Sequence, residues 1–179
     1  MVNVTPQEMP VGSLIAEQAA QPGYFTDCYA CVVPGQVSLA DYVTAFYTTP
    51  LFRAERLVLR LAARAPSTDV QARAVAEGEA ERFAVWQVAA RRADEMLLAE
   101  RSGRTKSWFS VAVQGADTKL FFGSVVVPVK GKSGKMVLGP VFDSLKTAHA
   151  LYSRALLASA ARGLAATGVR TAPAPRPGR

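Results

Sequence analysis

The sequence predicts an α+β domain in which an antiparallel sheet wraps around a long C-terminal helix. Three observations carry this. Between residues 83 and 130 lie four β-forming runs separated by breaks of a few residues, the spacing of antiparallel hairpins. A helical period follows from about Asp143 to Thr167. Ahead of the strands, one β-rich run leads into two short helical segments. A sheet with one apolar face and a helix with one apolar stripe must each bury that surface, and packing them together does both.

Residues 1–22 read as an N-terminal extension with a short apolar patch at Leu14 and Ile15, closed by Pro22-Gly23. The domain proper spans 23–168. Its first strand is 24-YFTDCYACVV-33, rich in β-formers and ended by Pro34-Gly35. Ser38, with Asp41 three residues on, is a capping-box-like helix start. Leu39, Tyr42, Val43, Phe46 and Tyr47 then follow a helical period. Thr49-Pro50 starts a second helix, threonine as N-cap and proline at the first helical position. In that helix Leu51, Ala54, Leu57, Val58, Leu61 and Ala62 form an apolar stripe, with Arg53, Arg56, Arg60 and Arg64 opposite.

Residues 65–82 are polar and small and read as a connection with one helical turn at most. The strands then expected are 83–91, 95–101, 107–114 and 118–130, with Gly123 marking a bulge in the last. In 107-SWFSVAVQ-114, alternation places Phe109, Val111 and Val113 on one wholly apolar face, the inner one, and Trp108 on the other. The last strand is apolar on both faces, so its orientation stays open. The segment 169–179, with three arginines and no acid, reads as a disordered tail.

Composition narrows the function. The 179 residues are 50% hydrophobic, enough for one sizeable core without a disulfide framework. The formal charge is +7, partly in the tail, so the domain itself is only mildly basic, and nucleic acid is not expected as a partner. No run approaches the roughly 18 apolar residues of a membrane span. The first residues lack a basic stretch followed by an apolar one, so a cytoplasmic protein is expected.

The common motifs of chemistry are missing or fail. Cys28 and Cys31 have redox spacing, but on a strand residues three apart point to opposite faces. The loop around Gly131-Lys132-Ser133 lacks the upstream glycine of a phosphate-binding loop, since position 126 is valine. One histidine leaves no His-rich zinc site, and no metal or cofactor is expected. The arginine stripe reads as a solvated face, with a phospholipid surface, nucleic acid or an acidic partner as its alternatives; a homodimer or a partner protein stays open for the chain as a whole.

The remaining candidate lies on the final helix. Leu145, His149, Tyr152, Leu156 and Ala160 share one face, so the only histidine faces the sheet. His149 and Tyr152 then either form part of a satisfied core or present polar groups to a ligand. The aromatics Trp86, Trp108, Phe109, Phe121 and Phe122 on the strands either fill the core or line a pocket.

Three segments carry a family resemblance: 78-GEAERFAVWQV-88, 94-DEMLLAERSG-103 and 139-GPVFDSLKTAHALYSRALL-157. Together with the element order over residues 24–165, they resemble the START-like (SRPBCC, Bet v 1-type) helix-grip superfamily. More narrowly, they resemble a bacterial START-like family of unassigned function, found alone or fused to short-chain reductases. The resemblance implies a cavity between sheet and final helix for a small hydrophobic or amphipathic ligand. The ligand-binding residues expected there are His149, Tyr152, Leu145, Leu156, Phe109, Val111, Phe122 and Tyr47. Two alternatives stand beside binding. One is an interaction or regulatory module with a filled core; the other is a START-like cyclase or hydrolase using His149 as base.

Overall fold

The computed structural model describes residues 2–62, 66–131, 136–138 and 140–167, with side chains described outside 58–62 and 140–146. The described chain runs β1 (Thr5–Pro6), α1 (Leu14–Ala19), β2 (Phe25–Val33), α2 (Leu39–Tyr47), α3 (Pro50–Ala62), α4 (Asp69–Glu77), β3 (Arg82–Phe83), β4 (Trp86–Arg91), β5 (Glu95–Glu100), β6 (Thr105–Gln114), β7 (Asp117–Val126), β8 (Val129–Lys130), β9 (Met136–Val137) and α5 (Pro140–Thr167). The fold class is α+β, as the sequence predicts. A seven-stranded sheet has the order β1-β2-β7-β6-β5-β4-β3, and every pairing in it is antiparallel.

Alternation divides the sheet into two faces. Tyr29, Cys31, Phe109, Leu120 and Phe122 look toward α2, α4 and α5 in the larger core. Cys28, Leu97, Trp108, Phe121 and Val125 look the other way, against Leu14 and Ile15 of α1. Both faces of β7 are therefore buried, which explains its two apolar faces. The N-terminal segment supplies an edge strand to β2 and the helix that covers the second face.

The larger core is aromatic. Phe46 of α2 stacks on Phe122 at 4.8 Å and 26° and meets Phe109 edge-on at 4.8 Å and 80°. Tyr47 packs edge-on against Phe52 at 4.7 Å and Phe83 at 5.2 Å. The fully buried Tyr42 donates its hydroxyl to the Phe121 carbonyl at 3.0 Å, tying α2 to β7.

The helix starts at Ser38 and Thr49 occur as expected: Ser38 Oγ accepts from Asp41 N at 3.0 Å and Thr49 Oγ1 from Phe52 N at 3.1 Å. Six expectations need correction. Three helices, not two, follow the first long strand, and β1 precedes that strand. The added helix, α4, lies in the stretch read as a connection. Its ends obey local rules: Thr68 Oγ1 accepts from Gln71 N at 3.2 Å, Gln71 Oε1 accepts from Thr68 N at 2.9 Å, and Gly78 closes the helix at φ 84°. Its buried side, Ala72, Val75 and Ala76, is too small to register as an apolar stripe. Thr68→Ala is expected to lower stability by about 1 kcal/mol, read as a lower urea midpoint at unchanged slope.

The run 83–91 is two strands. Phe83 pairs with Trp86 across a two-residue turn in which Ala84 takes φ 53°. No glycine or asparagine marks that turn, so the sequence hides it. The run 118–130 ends at Val126, and 129–130 pairs separately with 136–137. Gly123 is not a bulge, because its pairings with Cys28 and Trp108 are in register. The register shift lies between Val88 and Ala90.

Helix α3 is also turned from its expected face. Phe52 is buried, while Ala54 and Leu57 are exposed. One phenyl ring in the aromatic cluster buries more apolar surface than the Leu57 side chain would, so Phe52 sets the rotation. Arg56 then lies over the Phe83 ring at 5.5 Å and, with Arg53, grips Asp69 at the start of α4. Two members of the arginine stripe thus join α3 to α4. The Arg60 side chain and Arg64 lie outside the described residues.

Candidate functional site

Between α3, α5 and the inner face of β4–β7 lies a cavity of about 320 Å³. That is the lower end of the range for small-molecule sites. Helix α5 contributes His149, Tyr152, Ser153 and Leu156, at steps of three, one and three residues that keep them on one side. Helix α3 contributes Phe52 and Glu55. The sheet contributes Trp86 and Glu100, which are cross-strand neighbours, and Ser107, Phe122 and Ser124. A larger groove of about 690 Å³ crosses α2, α4 and α5. Its wall mixes small side chains such as Ala40, Ala45 and Gly163 with Asp41, Arg73 and Glu77, and it holds none of the site residues named from the sequence.

Two polar pairs flank the smaller cavity. Tyr152 donates its hydroxyl to the Glu55 carboxylate, joining α5 to α3. Burial pushes the Glu55 carboxyl above its ordinary value, and burial with the carboxylate alongside pushes the Tyr152 hydroxyl up as well. On the second side, His149 Nε2 lies 3.8 Å from Asp27 Oδ2, and Asp27 Oδ1 accepts the Ser124 N–H at 2.9 Å. Burial raises the Asp27 carboxyl more than the neighbouring imidazole lowers it. His149 keeps about a third of its side chain exposed, so it stands at the rim of the cavity, not in a sealed core.

Two residues of the wall hold a buried polar atom: Trp86 Nε1, with no hydrogen-bond partner among the described residues, and Ser124 Oγ, beside the Asp27 carboxylate. A buried polar atom left unsatisfied costs about 1–3 kcal/mol.

The structure brings together four of the residues named from sequence, His149, Tyr152, Leu156 and Phe122, on the cavity wall. Phe109 and Tyr47 sit instead in the aromatic core, 0% and 1% exposed. Val111 packs at the edge of that core, and the Leu145 side chain lies outside the described residues. Sequence reasoning missed Glu55 and Asp27. Both had a signal: Glu55 is the one acid among the arginines of 50–64, and Asp27 is an acid inside a β-forming run, where acids are depleted.

The cysteines do not enter the site. Cys28 faces the α1 side and Cys31 the α2 side, and burial pushes both thiols up to about 12, far from a reactive thiolate. Among the described residues no cluster of histidine, cysteine and acidic side chains could hold a metal. No described helix is long and apolar enough to cross a membrane. Comparisons with protein-family models, with curated proteins and with solved structures find no match to this chain.

Proposed function

We propose that this protein binds a hydrophobic or amphipathic small molecule in the cavity between the sheet and α5. One observation carries the reading: a 320 Å³ cavity between the sheet and α5 whose wall joins Phe46, Phe52 and Phe122 to a few polar side chains, Glu55, Ser107 and Tyr152 among them. An apolar wall supplies affinity, and a few fixed polar groups supply orientation. The strand order, with the first long strand beside the last and a C-terminal helix on the inner face, is compatible with a START-like helix-grip protein.

Native mass spectrometry of the purified protein, followed by extraction, tests the proposal. The expected result is an added mass that Ser107→Phe, which projects a ring into the cavity, removes without loss of folding. A bare protein that also gains no thermal stability from a panel of hydrophobic ligands would overturn it. A catalytic reading has one observation in its favour, the carboxylate of Asp27 beside His149. His149→Gln separates the two: a carrier keeps most of its affinity, whereas a hydrolase or cyclase loses turnover.

A further inference from the structure

The charges around the cavity run against those of the chain. The protein carries a net +7, yet the acids on this wall are Glu55 and Glu100, with Asp27 beside His149. Among the described residues, the lysine and arginines near the cavity are engaged elsewhere. Lys106 borders the cavity, but its ammonium donates to Gln18 at 2.6 Å and lies 5.9 Å from the Tyr24 ring on the opposite side of the sheet. Arg53 and Arg56 are held by Asp69, and Arg56 also by Ser67. Among the described residues, Glu55 is bonded by a neutral hydroxyl only, that of Tyr152. A part-buried carboxylate with no cationic partner is costly, and a bound cation removes that cost.

Two further features of the wall suit a cation. Phe46, Phe52, Phe122 and Tyr152 surround the same space as Glu55, and aromatic faces attract ammonium groups. Ser124, only 5% exposed, has its hydroxyl beside the Asp27 carboxylate, and its oxygen can still accept an N–H. Trp86 Nε1 can only donate, so it calls for an oxygen acceptor elsewhere on the ligand.

Building on the small-molecule reading above, we propose that the cavity selects a ligand whose polar end is a cationic amine, held by Glu55, with an oxygen acceptor and an apolar body behind it. The test is a matched series of one body and three charges: 2-phenoxyethylamine, 2-phenoxyethanol and phenoxyacetate, titrated by calorimetry into the intact protein near neutral pH. The amine is expected to bind at least tenfold more tightly than the alcohol, and the acid most weakly. Glu55→Gln, which can still accept the Tyr152 hydroxyl, should erase the difference between amine and alcohol. Glu79→Gln, an exposed acid away from the cavity, should leave it intact.

If the alcohol or acid binds as tightly as the amine, the amine proposal is wrong while the cavity reading survives. Undiminished amine preference in Glu55→Gln overturns the role of Glu55 in the same way. If none of the three binds while native mass spectrometry shows another ligand, the amine proposal fails alone; if the protein is also bare and unresponsive to the hydrophobic panel, both fail. The ranking in the unmodified protein decides the matter even where the variant does not fold.

Discussion

Gly123→Ala is expected to destabilise the protein by about 3 kcal/mol, at the upper end of what overpacking costs. Gly123 lies on the sheet face covered by α1. A Cβ there would come within 2.2 Å of Ile15 Cδ1, 2.7 Å of the Asp27 carbonyl oxygen and 3.2 Å of Trp108. The isoleucine side chain can turn away, but the carbonyl belongs to the neighbouring strand and cannot move without breaking the β2–β7 ladder. Adding Ile15→Ala should therefore fail to restore stability. Urea unfolding checks both variants, with a lower midpoint at unchanged slope as the expected signature. A Gly123→Ala protein within about 0.5 kcal/mol of the original would mean that the β2–β7 ladder yields at this point without loss.

Glu95→Ala is expected to cost a similar amount, about 3 kcal/mol, by a different mechanism. The Glu95 carboxylate is buried on the α1 side and is the acceptor on which that helix is hung. Its Oε2 receives the Leu14 N–H at 2.9 Å and the Trp108 indole N–H at 2.7 Å, while Oε1 receives Arg92 at 2.8 Å. Truncation leaves two buried donors unpaired, and hydrogen bonds to a charged acceptor are the stronger kind. Glu95→Gln keeps an oxygen for Leu14 and Trp108 and should lose well under half as much. Equal losses in the two variants would mean that charge, not the oxygen acceptor, holds α1. A shift of the tryptophan emission in Glu95→Ala alone would report the freed indole.

Much of the fold was legible because it is local. Ser38 and Thr49-Pro50 mark helix starts within three residues of themselves, and the final helix shows its period over seven turns. Alternation placed Phe109 inward and Trp108 outward, and it put Cys28 and Cys31 on opposite faces. The misses were local too, but their signals were faint. The α4 helix buries only Ala72, Val75 and Ala76, and the turn at Ala84-Val85 lacks the residues that usually announce one.

The candidate site was less legible than the fold. His149, Tyr152, Leu156 and Phe122 could be named because helical and strand periods put them on inward faces. Glu55 was passed over, since a lone acid at the edge of an apolar stripe does not by itself show what it faces. Its partner Tyr152 is 97 residues away in sequence. Likewise the pairing of Asp27 with the Ser124 N–H follows from the register of β2 on β7, which no single strand reveals.

The sequence by itself determined the α+β class, the types of most elements and the caps that begin two helices. These depend on side chains a few residues apart, where period and capping act directly. Only the tertiary structure decided that α1 closes the second face of the sheet, that Phe52 rotates Glu55 inward, and that Trp86 and Ser124 line one cavity. Those outcomes depend on volume filled and polar atoms satisfied among segments far apart in the chain, and that accounting exists only once the chain has packed.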